Sequence, residues 1–361
     1  MPPRRTNRPY RDWVKGERKR PRSIDADDET VRMGHEGMRP KGITLASRSE
    51  EGETVGQVIA ARSGRYDIQL EGEDGAILRC QIKRGITTDN PNTTLVAIGD
   101  KVKLQRVNTE EGVITHVLER VSHLGRTKSA DKGVEHIIAA NVDLLLCTTA
   151  ADRPDFRRTI IDRFIVAALL GDIQPIIIVN KIDTANQEIR EILEEELSVY
   201  PPLGYPVLML SAQSGEGMDE LQRQLVGKTA VLAGQSGVGK STLMNVLVGT
   251  EQRRTAEVRD SDRRGVHTTV DSVLHQLPTA GRLIDTPGIR EFGIWDLRPE
   301  ELDGYFVEFL DHLRDCRFHP CTHTHEPGCA VQLAVESGSI DPGRYASYRA
   351  IFESLRSTRD R

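Results

Sequence analysis

The chain has 361 residues and a net charge of −5. That length predicts two or three domains with ample core. No run of eighteen apolar residues occurs, which argues against a membrane span, and five cysteines, three of them close together, do not make a disulfide framework.

The charge is uneven. Residues 1–22 hold nine Lys/Arg against Asp12 and Glu17, a net +7, so the remainder carries −12. A basic tail on an acidic body predicts a polyanionic partner held through phosphate contacts, with a solvated tail as the competing reading. The tail lacks the apolar stretch of a signal peptide, so a cytoplasmic protein is expected.

Residues 1–50 have few apolar residues and no period, and are read as a disordered basic extension. A barrel is expected over 51–122. Segments 55–59, 66–70, 76–80, 101–104 and 112–117 read as five short strands separated by Gly-rich turns. Such a set fits a small closed barrel, with an OB-fold as the leading candidate and an SH3-like barrel left open. Cys80 and Cys147 lie in apolar, strand-like surroundings and read as inert core thiols. Residues 123–135 read as a linker.

From 136 to 298 the pattern becomes α/β. Segments 142–148 and 175–179 are continuous apolar runs, which suit strands buried on both faces of a parallel sheet. The helical spacings of 156–170, 188–199, 218–225 and 241–248 alternate with strand signals at 207–210 and 230–233. This predicts a three-layer, doubly wound domain. Residues 299–361 read as a helical module interrupted by a Cys/His cluster, with a last helix at 345–355.

The α/β segment carries phosphate chemistry. Gly234-Gln235-Ser236-Gly237-Val238-Gly239-Lys240-Ser241 follows an apolar strand and opens a helix with Thr242, the context that a phosphate-binding loop requires. Its glycines let backbone N–H groups turn toward phosphates, and the helix N-terminus adds its dipole. Lys240 is expected to reach the β- and γ-phosphates and Ser241 to ligate Mg2+. Asn180-Lys181-Ile182-Asp183 ends a strand about fifty residues earlier. A carboxylate there can accept from N1–H and the 2-amino group of guanine, donors that adenine lacks. Ser211-Ala212-Gln213 follows the next strand and resembles the loop whose amide meets guanine O6. Asp285-Thr286-Pro287-Gly288 places an acid to hold the Mg2+ shell through water and a glycine amide, that of Gly288, to sense the γ-phosphate. Gly265-Val266-His267-Thr268-Thr269 offers a second Mg2+ ligand, Thr269 or Thr268, with Thr269 preferred.

These five parts resemble the GTPase branch of P-loop proteins, but in rotated order: the guanine motif precedes the phosphate loop. That is a circular permutation, tolerable because termini and loops of such sheets lie at the surface. Ile289 stands where many GTPases place a water-orienting Gln, so another group must orient water. His267 is the best local candidate, against the reading of a loop histidine with no chemistry.

Cys316-x4-Cys321-x-His323-x5-Cys329 offers three thiolates and an imidazole, a tetrahedral structural zinc set. His319 and His325 compete with His323, and the spacing alone does not choose.

The barrel, the permuted GTPase, the Ile after Asp-x-x-Gly and the cysteine–histidine cluster together resemble the ribosome small-subunit-dependent GTPase A family of bacterial ribosome biogenesis factors. The likeness covers about residues 50–355. It implies a cytoplasmic, monomeric GTPase of late small-subunit maturation, stimulated by that subunit, cycling between GTP and GDP with Mg2+. It also implies that the barrel and zinc module contact ribosomal RNA, that His323 completes one structural Zn2+ site, and that His267 is catalytic. Tyr66 is the one Phe, Tyr or Trp between Thr54 and Val121, which favours backbone and shape contacts over base stacking. Two other readings compete: an RNA-binding assembly protein in which GTP only tunes affinity, and an ATPase of the same fold.

Overall fold

The computed structural model describes residues 53–359 except 63, 74, 84–85, 87–92, 128–134, 250–271, 286–293 and 295–296. Alternating apolar and polar side chains shape its first part. β1 (Glu53–Arg62), β2 (Arg65–Leu70), β3 (Ile77–Ile82), β4 (Lys101–Arg106) and β5 (Glu111–Val117) turn one face inward, so that Val58, Ile68, Leu78, Val102, Leu104 and Ile114 share a core. The strands pair in the order β1-β2-β3-β5-β4, and β4 returns to β1, which closes the barrel. β3 and β5 pair in parallel. This is the OB-type barrel.

The stretch read as a linker opens a hairpin whose second strand lies in the segment read as α/β. β6 (His123–Thr127) and β7 (Glu135–Ala140) pair antiparallel. Leu124 and Ile137 are buried, but the charged residues around them dilute any alternation that the sequence would show.

The next part alternates strand and helix: β8 (Leu144–Ala150), α1 (Arg158–Leu170), β9 (Gln174–Asn180), α2 (Gln187–Leu197), β10 (Val207–Met209), α3 (Met218–Leu225), β11 (Thr229–Gly234), α4 (Lys240–Val248), β12 (Ser272–Gln276) and β13 (Arg282–Asp285). The order β10-β9-β8-β11-β13 is parallel throughout. β12 adds antiparallel to β13. The apolar runs are continuous because the sheet has a core on each side. Leu145 and Cys147 of β8 face the cluster beneath α1 and α2, whereas Leu144 and Leu146 face the one beneath α3 and α4. Asn186 starts α2 by accepting the Ile189 amide at 2.9 Å.

β12 was not legible as a strand, and its outer edge pairs with β1. The barrel and the α/β sheet thereby become one eleven-stranded sheet.

The C-terminal part is less regular than a helical reading suggests. Short 3-10 turns at Pro299–Tyr305, Val307–Phe309 and Leu313–Asp315 precede α5 (Ala330–Glu336) and α6 (Pro342–Arg359). Phe306, Phe309, Tyr348 and Ile351 form its core together with Val166 of α1. Among the described residues no helix is long and apolar enough to cross a membrane.

Candidate nucleotide site and metal cluster

Asn180, Ala212, Gly234 and Asp285 lie at or just past the C-terminal ends of the parallel strands β9, β10, β11 and β13. Motifs far apart in sequence thus share one rim of the sheet, the rim where open α/β sheets bind ligands.

The phosphate loop leaves β11 at Gly234 and enters α4 at Lys240. Gly239 has φ 91°, and a Cβ there would sit 2.4 Å from Asn180 Nδ2. Glycine is required both for that backbone and for that closeness. Lys240 Nζ donates to the carbonyls of Gly234 and Gln235, each at 2.6 Å, which holds the ammonium against its own loop. Ser241 and Thr242 are exposed in the first turn of α4, and Asp285 is half-buried at the end of β13. The hard oxygen donors of Ser241 and Asp285 suit Mg2+.

Asn180 is 2% exposed and bridges two loops. Its Nδ2 donates to Val238 O at 3.0 Å, and its Oδ1 accepts the Ala212 amide at 3.0 Å. Within the loop that resembles the one meeting guanine O6, the Ala212 amide is thus engaged by Asn180. Lys181 adopts φ 65° and donates to Arg153 O at 3.0 Å and to Gly237 O. Ile182 is buried, which anchors the turn, whereas Asp183 is exposed beside it. Buried Ser211 accepts the amides of Gln213 and Ser214 at 3.2 and 3.0 Å, shaping its loop rather than facing a ligand. The Arg153 carbonyl has no sequence signature, since any residue supplies one. His267, Thr268, Thr269 and Gly288 lie outside the described residues.

The second cluster is in the C-terminal part. One ligand atom from each of Cys316, Cys321, His323 and Cys329 falls within 4.8 Å of all the others. Cys316 Sγ and Cys329 Sγ are 4.0 Å apart, and His323 Nδ1 lies 3.5 and 3.3 Å from them. Ligands about 2.3 Å from a tetrahedral ion stand about 3.8 Å apart, so the set fits such an ion. Burial raises the Cys321 and Cys329 thiols above their ordinary range. A bound dication reverses that preference and keeps thiolates. His323 is chosen over His319 and His325 by its neighbours. Its Nε2 faces Asp303 Oδ2 at 3.3 Å, which leaves Nδ1 toward the sulfurs. Tyr345 Oη donates to His323 O at 2.7 Å and Tyr348 Oη to Thr322 O at 2.9 Å. Glu326 braces the same loop. Burial raises its carboxyl, but hydrogen bonds from Thr322 and the Thr322 and His325 amides outweigh this and hold it down at about 2. Asp303 stands twenty residues before the histidine, too far for spacing to reveal it.

Known proteins resemble this chain in sequence and in fold. The sequence model of the RsgA GTPase family matches residues 117–295. A protein of Chlorobaculum tepidum called "Small ribosomal subunit biogenesis GTPase RsgA" is 42% identical over 311 residues, covering 84% of this chain and 99% of that one. This chain belongs to the RsgA GTPase family. A relative of the same name from Haemophilus influenzae is 39% identical over 82% of this chain and 84% of its own length. Among solved structures, YjeQ from Thermotoga maritima superposes with TM-score 0.67 at 31% identity, over 84% of this chain and 98% of that one. YloQ, described as a circularly permuted GTPase, gives 0.65 at 28% identity, over 86% of this chain and 98% of that one. The chain is thus a GTP hydrolase with its motifs in permuted order.

Proposed function

We propose that this RsgA GTPase acts in late maturation of the small ribosomal subunit, that the subunit stimulates its GTP hydrolysis, and that barrel and metal module contact ribosomal RNA. One observation carries the reading. The sheet that carries the nucleotide rim is continued by the barrel through β12, and a second module packs on α1 of the same α/β part. A nucleotide site in a sheet joined to two such bodies is suited to report a phosphate to a large partner. The names borne by the relatives point the same way.

In this reading Asp183 accepts from N1–H and the 2-amino group of guanine. Lys240 leaves the Gly234 and Gln235 carbonyls to reach the β- and γ-phosphates. Ser241, Thr269 and Asp285 would hold Mg2+, which when bound neutralises charge developing on the phosphates. The Gly288 amide senses the γ-phosphate, and His267 orients the attacking water in place of the Gln that Ile289 replaces. Cys316, Cys321, His323 and Cys329 would hold one structural Zn2+. The protein works as a cytoplasmic monomer.

GTP turnover with and without purified small subunits tests the reading. A sharp rise is expected, and unchanged turnover overturns the stimulation.

A further inference from the structure

We propose that Gln57 and Arg282 are positioning residues that hold the barrel in register with the β12–β13 ribbon, so that nucleotide state at Asp285 and occupancy of the barrel govern each other. The role of Asp285 and the polyanion on the barrel rest on the function proposed above; the mechanical link rests on geometry alone.

The ribbon is a tight one. Its register pairs Val273 with Asp285, Leu274 with Ile284, His275 with Leu283 and Gln276 with Arg282. Its turn is closed by the Leu277 amide on Gly281 O at 2.8 Å. Both open ends run, in sequence, into the loops assigned to the nucleotide: Ser272 follows Thr269 by three residues, and Asp285 precedes Gly288 by three.

The outer edge of the ribbon belongs to the barrel. Ala60 pairs with Val273 and Ala61 with Ser272. Ala60, Val273 and Asp285 therefore form one row across three strands. At about 4.8 Å per strand, the barrel backbone stands about 10 Å from the Asp285 backbone. β1 can serve both bodies because its register against β2 shifts between Val58 and Ala60. Such an irregularity bends a strand and increases its twist.

At the other end of the ribbon the link is made by side chains. Arg282 Nη1 donates to Gln57 Oε1. Gln57 is 7% exposed, and its Nε2 donates in turn to Gly99 O at 3.2 Å. Gly99 O also accepts from Asn141 Nδ2 at 3.0 Å, between β7 and β8. Behind these polar contacts, Ile59 and Ile98 pack into the core that contains Leu274 and Ile284. The ribbon is thus joined to the barrel by ladder, side chain and core together. A displacement of its loop ends must carry the barrel or break those contacts, and by linkage a ligand that biases the barrel biases the ribbon equally.

The test uses the full chain without ribosomes. Amide exchange is compared between GDP and a non-hydrolysable GTP analogue in the wild type, Gln57→Leu, Arg282→Met and the conservative Gln57→Glu, which keeps an acceptor for Arg282. In the wild type, nucleotide exchange is expected to alter protection at β12 and β13 and also at β1 and β4. In Gln57→Leu and Arg282→Met the change at β12 and β13 persists, while that at β1 and β4 is reduced, the Ala60–Val273 ladder and the shared core carrying the remainder. Gln57→Glu keeps the Arg282 contact but loses the donor to Gly99 O, and is expected to fall between the wild type and Gln57→Leu. Barrel protection that ignores nucleotide in the wild type, or that responds equally in all variants, overturns the proposal. So does a uniform loss of protection in the variants, which marks a purely structural role. If the exchange pattern holds while small subunits leave turnover unchanged, the coupling stands and the ribosomal reading falls.

Discussion

Arg344 of α6 donates to Asp162 of α1 at a point where neither side chain is more than 1% exposed. The pair joins the C-terminal module to the helix that follows β8. Glu308 accepts from Arg344 Nε at 2.7 Å, Tyr200 Oη donates to Asp162 at 2.7 Å, and the guanidinium lies 4.6 Å above the Phe306 ring. Burial pushes Asp162 up against the opposing Arg344 charge. Asp162 and Glu308 hold Arg344 above its ordinary value although burial works the other way. Arg344→Met leaves two buried carboxylates without their cation. Removing one partner of such a pair costs about 3–5 kcal/mol, so Arg344→Met is expected to lose that much by chemical denaturation. A triple replacement of Arg344, Asp162 and Glu308 by apolar residues is expected to recover much of the loss, because no bare charge then remains.

Nothing in the sequence announces that pair, since Asp162 and Arg344 look like ordinary helix-surface residues 182 positions apart. What was legible was local. The phosphate loop is dictated by backbone geometry, and Gly239 against Asn180 shows why the glycine cannot vary. The barrel strands declared themselves by alternation, and β8 and β9 by burial on both faces. The illegible parts are those whose reason lies in another element. β12 is half-buried and short, and gains its order from Asp285 on one side and Ala60 on the other. Asp303 matters only because the fold brings it to His323.

Asp183 is exposed at the rim, and in the proposed function its carboxylate accepts from two guanine donors. Asp183→Asn removes one acceptor and supplies a donor, which matches xanthine, where an oxygen replaces the 2-amino group. Hydrogen bonds to a charged group contribute about 1.5–3 kcal/mol each. GTP affinity is therefore expected to fall roughly a hundredfold or more, while affinity for xanthosine triphosphate rises. Competition binding with labelled GDP checks both, and ATP displacing the label as well as GTP does in the wild type would overturn the guanine assignment.

Metal removal is expected to loosen the cysteine–histidine loop more than the rest of the C-terminal module. The module keeps an apolar core that includes Phe306, Phe309, Tyr348, Ile351 and Phe352, whereas the loop is braced mainly by Tyr345, Tyr348 and Glu326. Chelation should release one zinc per chain and lower the melting temperature, with the nucleotide rim still able to bind GDP. Asp303→Ala leaves all four ligands in place but frees the His323 ring. Loss of such an outer partner typically weakens metal affinity about 10–100-fold, and zinc competition with a chromophoric chelator reads that change.

In the proposed function Lys240 is the residue through which the phosphate loop acts on charge rather than on shape. Its ammonium sits on the Gly234 and Gln235 carbonyls, within the loop that must surround the phosphates. Lys240→Ala removes that charge and leaves Gly239, Asn180 and the guanine side untouched. Loss of one preorganised donor to developing charge costs about a hundredfold or more in turnover. GTP hydrolysis is thus expected to fall by at least that factor, with and without small subunits, while the preference for guanine over xanthine nucleotides stays as in the wild type. Equal losses in turnover and in base preference would instead mean that Lys240 supports the whole rim, and would remove it from the chemistry.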